Sequence, residues 1–277
     1  MNKDAYKFSV LMSVYIRENP SFLDDALKSN LVEQTRKPDE MVLVCDGPLT
    51  DQLNNVIEKY KEQFPDILKV FQLQENKGLG YALNYGLSKC SYEWVARSDS
   101  DDICENNRFE VQIDYLKEHP NVELLSSFVR EFDNDCKENI HIKTLPVSHD
   151  EIVKYAKFRN PMNHMAVIFH KQAIIDAGSY LHLPYVEDYY LWLRVIKNGS
   201  RLANVDQCLV NARVGNGMLK RRSNREYISS WRCLNQFMLE NNMIGKIVYL
   251  KNMFAVRAFI YMPINGKKLL YKYILRK

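Results

Sequence analysis

The chain lacks any apolar segment long enough to cross a membrane. Its 277 residues contain no run of about 18 uncharged apolar residues, which is roughly what a spanning helix needs. The first residues include Asp4 and lead into no long apolar stretch, so we expect no secretory signal peptide. Internal repeats and low-complexity segments are also absent, which argues against repeat architectures. With 46% apolar and 26% charged residues, the composition is that of an ordinary globular protein.

Paired cysteines are missing as well. The six cysteines are scattered along the chain and form no Cys-x-x-Cys pair: Cys45, Cys90, Cys104, Cys136, Cys208 and Cys233. Zinc clusters and disulfide frameworks usually show closely spaced or paired cysteines, so neither is expected here. Free buried thiols in a reducing cytoplasm are the simplest account.

Acidic residues are absent from the C-terminal segment. Residues 243–277 contain eight Lys or Arg and no Asp or Glu. Since the whole chain has a net charge of +4 and this segment carries +8, the rest of the chain is at −4. A basic tail on a mildly acidic body indicates a polyanionic partner, either nucleic acid or an anionic membrane surface.

Three carboxylates follow one predicted strand within four residues. The strand 92–96 is mostly apolar, and Asp99, Asp101 and Asp102 come directly after it. Carboxylates this close repel one another unless a cation lies between them, and a divalent metal with oxygen ligands is the natural candidate. A solvated acidic turn before a helix accounts for the same residues, because Asp is favoured at helix N-termini. The cluster alone leaves both interpretations open.

Strands and helices alternate over the first 130 residues, which predicts an α/β protein with right-handed βαβ units. The strands are predicted at residues 8–15, 41–45, 68–73 and 92–96, and the helices from an N-cap at Ser21 and at 51–64, 81–90 and 107–119. Later strands are predicted at 122–132, 164–170 and 206–214, and later helices at 171–177 and within 184–197, with a weakly patterned region at 136–155. Ligands of such sheets bind beyond the carboxyl ends of the strands, where Tyr15, Asp46 and Asp99 are expected.

Four short motifs occur in a particular order. They are Ser13-Val14-Tyr15, Asp46-Gly47, Asn76-Lys77-Gly78 followed by Ala82, Asn84 and Gly86-Leu87, and Glu187-Asp188-Tyr189-Tyr190-Leu191-Trp192. With the acidic cluster they resemble the glycosyltransferase family 2 enzymes. The closest likeness is to the small bacterial transferases that assemble exopolysaccharide, capsule and O-antigen repeat units, including the amylovoran type. The resemblance covers about residues 7–225, and the segments 213–218 and 262–269 look like the same subgroup.

The resemblance implies a GT-A fold, which is a Rossmann-like open mixed sheet flanked by helices. It implies a catalytic domain at residues 1–220, with the nucleotide-binding half at about 7–105 and the acceptor half at about 106–220. Residues 221–277 then form a helical, basic C-terminal extension. Its apolar residues alternate with Lys and Arg, which suits helices lying on an anionic leaflet. Packing of the apolar face on the catalytic domain is the alternative.

For the donor site, the resemblance implies that Asp99 contacts the ribose and that Asp99 and Asp101 bind Mn²⁺ or Mg²⁺ at the diphosphate. Negative charge gathers on the leaving nucleoside diphosphate, and a cation held by carboxylates stabilises it. Asp102 either supports the metal through a water or caps the next helix. Asp46 matches the acid that contacts the nucleobase, although Asp before Gly and Pro is also typical of turns.

Five further residues surround this expected donor site. Ser13 and Tyr15 match the cradle for the nucleobase, with core packing as the alternative for Tyr15. Asn76 and Lys77 lie in a turn that enters a helix, and a helix N-terminus favours a diphosphate. The turn lacks the Gly-x-Gly-x-x-Gly spacing, so no Rossmann fingerprint is predicted. Lys77 either reaches a phosphate or is solvated, and Arg97 either holds the carboxylates apart or contacts the diphosphate.

For the acceptor site, Glu187-Asp188 matches the family's Glu-Asp motif, whose Asp is the proposed general base. An inverting transfer needs a base that takes the acceptor hydroxyl proton as that oxygen attacks the anomeric carbon. Helix capping by two acids is the alternative. Trp192, one turn beyond Asp188, either lines the sugar site or anchors the helix in the core. His164 is a second acceptor-site candidate.

The resemblance therefore implies an inverting, metal-dependent transfer of a hexose or N-acetylhexosamine from a nucleotide sugar, and we expect a UDP-linked donor. The acceptor would be a lipid-diphosphate-linked saccharide at the cytoplasmic face of the inner membrane. The Gln-x-x-Arg-Trp sequence of processive polymerases is missing, which favours transfer of a single sugar. A sugar nucleotidyltransferase is the enzymatic alternative, but residues 15–20 lack the glycines of its phosphate loop. The non-enzymatic alternative is a nucleic-acid-binding module. The aliphatic residues of the tail and the acidic body of the chain argue against nucleic acid as a partner.

Overall fold

A computed structural model describes residues 6–132, 141–214, 224–263 and Gly266. The strands are β1 Phe8–Val14, β2 Glu40–Cys45, β3 Leu68–Gln72, β4 Trp94–Ser98, β5 Ile103–Cys104, β6 Leu124–Phe132, β7 His141–Lys143, β8 Ile168–His170 and β9 Leu202–Arg213. The helices are α1 Pro20–Leu31, α2 Asp51–Gln63, α3 Leu79–Lys89, α4 Arg108–Glu118, α5 His149–Tyr155, α6 Lys171–Asp176, α7 Glu187–Lys197, α8 Arg225–Glu240 and α9 Lys246–Tyr261.

These strands form one mixed sheet in the order β3-β2-β1-β4-β8-β6-β9-β5, with β7 paired to β6. The first four pair in parallel, as the strand–helix alternation predicts. β8 then runs antiparallel to both β4 and β6, so the sheet becomes mixed at this strand. Met12 of β1 lies beside Ser98 of β4, which brings the carboxyl ends of these two strands to the same edge.

Helices cover the sheet on both faces. One core cluster joins β1 and β2 to α1, α2 and α4, and the other joins them to α3, α6 and α7. Successive β1 residues alternate between the two clusters, with Val10 and Met12 in the first and Leu11 in the second. A strand buried on both faces has to be apolar at nearly every position, which explains the continuous apolar run at residues 8–15.

Three sequence predictions about local structure are wrong. The N-cap of α1 is Asn19, not Ser21, because Pro20 occupies the first helical position and Asn19 Oδ1 accepts the Ser21 N–H at 2.9 Å. The predicted strand 164–170 opens with a 3-10 turn at His164–Ala166, and only its last three residues are strand. The last strand begins at Leu202, before its predicted start at residue 206.

The C-terminal part contains two helices, as the composition predicts, and α8 packs on α7. Tyr189 of α7 faces Trp231 with ring centroids 5.8 Å apart, and Tyr190 faces Phe237 at 5.2 Å. Within the described residues no helix is long and apolar enough to cross a membrane. Residues 264–277 of the basic tail, except Gly266, lie outside the described part, as do Cys136 and residues 215–218 of the subgroup motif.

Candidate active site

The acidic cluster lies at the carboxyl end of β4, as expected. Asp99, Asp101 and Asp102 each offer a carboxylate oxygen, and these oxygens lie within 4.8 Å of one another. Burial raises the pKa of Asp101 to about 7, and the charges of Asp99 and Glu18 add to the rise. Burial also raises the pKa of Asp102 well above its usual range. Three clustered oxygen ligands that are costly to ionise without a cation fit a divalent metal.

Arg97 neutralises one member of the cluster. Its side chain is 2% exposed, and its guanidinium forms a bidentate pair with Asp99, in which Nη1 donates to Oδ2 at 2.6 Å and Nη2 donates to Oδ1. The Asp99 side chain is 29% exposed. The structure thus supports the carboxylate-holding alternative for Arg97, and contact with a diphosphate stays a prediction.

Asp102 ties the cluster to the last strand of the sheet. Its Oδ1 accepts the backbone N–H of Arg213 in β9 at 2.7 Å, and Arg213 Nε donates to the carbonyl of Asp101 at 3.1 Å. The helix-cap alternative for Asp102 is wrong, because the N-cap of α4 is Asn107. Support of a metal through a water stays a prediction.

The structure adds a second buried cation, Arg108 of α4, to which the sequence analysis assigned no role. Arg108 is fully buried and donates to Ser98 Oγ at 2.9 Å and to the carbonyl of Arg97 at 2.7 Å. It therefore fixes the end of β4 just before the acids. The sequence could have indicated its burial, because Arg108 and Gln112 lie on the apolar face of α4, beside Phe109.

Asp46 organises the turn that precedes α3. Its two carboxylate oxygens accept the backbone N–H groups of Lys77 at 2.8 Å and Gly78 at 2.9 Å, and Asn76 Nδ2 donates to its carbonyl at 3.3 Å. Gly78 has a φ of 87°, a conformation that favours glycine. The structure thus brings together Asp46, Asn76 and Lys77, and it supports the turn role of Asp46. Contact with a nucleobase stays a prediction.

The segment after β1 borders the same edge of the sheet. Tyr15 is 41% exposed, so the core-packing alternative for it is wrong, and Ser13 is half-buried. Glu18 accepts a hydrogen bond from Ser100 Oγ at 2.6 Å, which joins this segment to the acidic cluster. Lys77 Nζ lies 4.9 Å from the ring centroid of Tyr81 and its side chain is partly exposed, so its reach to a phosphate stays a prediction.

The second acid pair opens α7. Asp188 Oδ2 accepts a hydrogen bond from Asn160 Nδ2 at 2.6 Å, and Asn160 Oδ1 accepts the Met162 N–H at 3.3 Å. Burial raises the pKa of Glu187, and the adjacent Asp188 adds to the rise. Asn160 was noted in the sequence only as part of an Asn-Pro segment. Its partner lies 28 residues away, and no local spacing could show that contact.

His164 and Tyr180 form a hydrogen-bonded pair. His164 Nε2 and the Tyr180 hydroxyl are 2.9 Å apart. Burial, with the positive charge of Arg97, holds the pKa of His164 well below its usual value, so the imidazole is neutral. Burial raises the pKa of Tyr180, and the charges of Asp188 and Asp99 add to that rise. The Tyr180 hydroxyl, and the region around it, is therefore within electrostatic range of both acid sites.

Trp192 does not reach that region. Its side chain is fully buried in the core cluster beneath α7 and meets the His164 ring edge-on, with centroids 5.8 Å apart. A side chain without exposed surface cannot line a sugar site, so the structure supports the core-anchor alternative. Tyr180, which the sequence analysis missed, is held by Asn84, whose amide exchanges two hydrogen bonds with the Tyr180 backbone at 2.7 and 2.8 Å.

Comparisons with known proteins agree with this arrangement. A sequence model of the family described as "Glycosyl transferase family 2" matches residues 9–178, more than half of the chain. Amylovoran biosynthesis glycosyltransferase AmsE of Erwinia amylovora is 45% identical over 223 residues, covering 80% of this chain and 82% of that protein. The UDP-Gal:alpha-D-GlcNAc-diphosphoundecaprenol beta-1,3-galactosyltransferase of Escherichia coli is 38% identical over 278 residues, covering 100% of this chain and 99% of that protein.

Among solved structures, S. aureus TarS 1–349 in complex with UDP-GlcNAc matches with a TM-score of 0.68 at 21% identity, covering 95% of this chain and 75% of that chain. This likeness shows the fold, and the mixed sheet flanked by helices is the GT-A fold expected from the motifs. By its family match, its relatives and its fold, the chain belongs to glycosyltransferase family 2.

Proposed function

We propose that the chain is an inverting, metal-dependent transferase that moves one hexose or N-acetylhexosamine from a UDP-linked donor to a lipid-diphosphate-linked saccharide. The observation that carries this proposal is that the fold holds two separate acid sites of different kinds. One site is a cluster of three carboxylates suited to a cation, and the other is Asp188, half-buried at the start of a helix and hydrogen-bonded to Asn160. A metal-assisted group transfer with a separate general base uses both.

Two similarities support the substrates. The 38% identical relative from Escherichia coli is named for UDP-Gal and a GlcNAc-diphosphoundecaprenol acceptor, and TarS was solved with UDP-GlcNAc. A UDP-linked donor and a lipid-linked acceptor are therefore the first choice for this chain. The 45% identical amylovoran relative supports a role in the synthesis of a cell-surface polysaccharide such as O-antigen, capsule or exopolysaccharide.

On the donor side, Asp101 and Asp99 would hold Mn²⁺ or Mg²⁺. When bound, the cation supplies positive charge that stabilises the leaving nucleoside diphosphate. Asp99 also contacts the donor ribose, while Arg97 orients its carboxylate through two hydrogen bonds. The Asp46-ordered turn places Asn76 and Lys77 at the phosphates, and Asp46, Ser13 and Tyr15 surround the nucleobase.

On the acceptor side, Asp188 acts as the general base. Asn160 occupies Oδ2, and within the described residues Oδ1 of Asp188 accepts no hydrogen bond. The acceptor hydroxyl gives its proton to Asp188 as its oxygen forms a bond to the anomeric carbon. The bond from that carbon to the diphosphate oxygen breaks on the opposite face, so the configuration inverts. Glu187 and the neutral His164 border the site and help to orient the acceptor.

We also propose that residues 1–220 form the catalytic domain and that 221–277 attach it to the cytoplasmic face of the inner membrane. Four large apolar residues of α9 are 65–77% exposed: Ile247, Leu250, Phe254 and Tyr261. The same helix carries three basic residues and no acidic one. An apolar surface with interleaved cations suits an anionic leaflet.

Co-sedimentation of the chain should be strong with anionic vesicles, weak with neutral ones, and reduced by Phe254→Ser. Equal binding to both kinds of vesicle would contradict attachment to an anionic membrane.

The activity is tested by incubating the full chain with Mn²⁺, a synthetic GlcNAc-diphosphate lipid and a panel of UDP-sugars, with UDP-galactose first. We expect release of UDP, a product longer by one sugar and, by NMR, an anomeric configuration opposite to that of the donor. Chelation should stop the reaction. Release of pyrophosphate from a nucleoside triphosphate and a sugar phosphate, with no transfer from any UDP-sugar, would contradict the proposal. Retention of the anomeric configuration would contradict its mechanism.

A further inference from the structure

The chain enters α7 through a turn in an unfavourable backbone conformation. Leu183 accepts the backbone N–H of Val186 at 3.1 Å, with Pro184 and Tyr185 at the two central positions. Tyr185 has a φ of 71°, which is favourable for glycine and unfavourable for a residue with a large side chain. Val186 is the N-cap of α7, so the turn lies immediately before Glu187 and Asp188. Something outside the turn has to maintain this conformation.

The N-terminus of α8 supplies that contact. Asn224 Nδ2 donates to the Tyr185 hydroxyl at 2.7 Å, and this hydroxyl donates to Glu226 Oε2 at 3.0 Å. The Tyr185 ring also meets the Tyr227 ring, with centroids 6.0 Å apart. At its other end, the Asn224 amide caps α8, because Oδ1 accepts the Tyr227 N–H at 2.9 Å. One asparagine side chain therefore joins the start of α8 to the turn before the base.

The body of α7 is held to α8 by other contacts. The Tyr189–Trp231 and Tyr190–Phe237 ring pairs lie further along both helices. They anchor the helix independently of Tyr185, so loss of the Tyr185 hydroxyl leaves the α7–α8 packing in place. The hydrogen bonds of Tyr185 then act on the entry turn alone, and through it on where Asp188 lies.

We propose that α8 positions the general base, through the Asn224–Tyr185–Glu226 hydrogen bonds that hold the turn before Asp188. This inference rests on the proposed role of Asp188. Tyr185 and Asn224 are positioning residues, since they act through the backbone of the turn and Asn160 contacts the carboxylate directly. The C-terminal extension thus contributes to the geometry of the acceptor site as well as to attachment.

The test compares two substitutions made from opposite ends of one hydrogen bond. Tyr185→Phe removes the hydroxyl and keeps the ring, while Asn224→Asp keeps a good helix cap and loses the donor to Tyr185. Tyr60→Phe is the matched control, because its hydroxyl donates to the Asp24 carbonyl at 3.2 Å in another part of the fold. Transfer from the UDP-sugar used by the wild type and binding of UDP with Mn²⁺ are measured for the full chain.

We expect kcat to fall roughly tenfold in Tyr185→Phe and in Asn224→Asp, since a small misplacement of a catalytic group slows transfer strongly. The donor KM and the affinity for UDP with Mn²⁺ should not change, and the double variant should be no slower than either single one. A wild-type kcat in both variants would overturn the inference and leave the base assignment intact. The same conclusion would follow if kcat fell as much in Tyr60→Phe, or if the decrease in kcat disappeared at lower temperature. If Asp188→Asn transfers normally, the proposed base falls, and the inference falls with it.

Discussion

The two acid sites of this enzyme are built in opposite ways. The cluster at the end of β4 packs three carboxylates within 4.8 Å and surrounds them with Arg97, Arg108 and the backbone of β9. At the start of α7, Asp188 accepts one side-chain hydrogen bond from the part of the chain that the structure describes, donated by the amide of Asn160. In the first, Asp102 is buried and Asp99 and Asp101 are partly buried, and in the second, Asp188 is half-buried on the N-terminal turn of a helix.

This difference in construction agrees with the proposed roles of the two sites, metal binding and proton removal. A metal site can tolerate repelling, buried carboxylates because the cation compensates their charge, and its ligands need fixed positions. A general base has to be ionised before the reaction and reachable by an acceptor hydroxyl, so exposure and a helix N-terminus suit it. The same residue type therefore has a raised pKa at Asp101, the proposed metal ligand, and lies half-buried at a helix N-terminus at Asp188, the proposed base.

Asp101→Asn should have the largest effect. It removes one expected metal ligand and keeps the side-chain volume, so transfer should fall by about a thousandfold or more, because charge on the leaving group is no longer balanced. Transfer is measured by UDP release over a range of Mn²⁺ concentrations. Asp114→Asn, which removes a carboxylate paired with Lys117 at 2.6 Å on the surface, is the matched control. Wild-type rates in chelator with Asp101→Asn would contradict the metal role.

Asp188→Asn should come next. The amide keeps the shape but cannot accept the proton, so kcat should fall by roughly a hundredfold to ten-thousandfold. The donor KM should stay near the wild-type value, because the proposed donor site lies at the end of β4. Steady-state kinetics check both quantities, with Asp176→Asn on the surface of α6 as control. An unchanged kcat would contradict the assignment of the base.

Asn160→Ala should have a smaller effect of the same kind. Asp188 then loses its one side-chain hydrogen bond within the described residues, so its carboxylate is less well oriented. We expect kcat to fall about tenfold with little change in donor binding. The control is Asn54→Ala on the surface of α2, because the other candidate, Asn163, is buried. A loss as large as that of Asp188→Asn would mean that Asn160 does more than orient.

The smallest effect concerns stability without metal. The pKa of Asp101 is 3.8 in an unfolded chain and about 7 in the fold, so the folded protein binds more protons between these values. The stability that Asp101 contributes is therefore complete below about pH 4 and is lost as pH rises through 7. In chelator, the wild-type Tm should fall by about 5 °C more between pH 5 and 8 than that of Asp101→Asn. Parallel pH profiles of the two proteins would contradict the raised pKa.

The sequence predicts which residues lie at the ends of strands better than it predicts the strands and residues that they pair with. Asp46 and Asp99 follow continuous apolar runs, and such runs read as buried strands whose carboxyl ends meet at one edge. The antiparallel insertion of β8 between β4 and β6 has no comparable signal, because β8 is only three residues long. The pairing of Asp102 with Arg213 joins residues 111 positions apart and depends on that sheet order.

Burial along a helix is also only partly predictable from the sequence. Asp188 and Trp192 are one turn apart, which predicts a shared face, yet one is half-buried and the other has no exposed surface. Glu187 and Asp188 at the start of α7 are only half-buried, whereas Leu191, Trp192 and Val195 enter the core. Spacing gives the face of a helix but not the depth at which each turn lies. That depth depends on packing against His164 and α8, which only the assembled fold provides.

The central claim is that the two acid sites divide the reaction between donor binding and proton removal. Its most direct test is calorimetric titration of UDP, with and without Mn²⁺, into the wild type, Asp101→Asn and Asp188→Asn. Asp101→Asn should lose the Mn²⁺-dependent part of UDP binding, and Asp188→Asn should bind UDP with Mn²⁺ as the wild type does, although both have lost transfer. Equal loss of UDP binding in both variants, or normal Mn²⁺-dependent binding in Asp101→Asn, would contradict the claim.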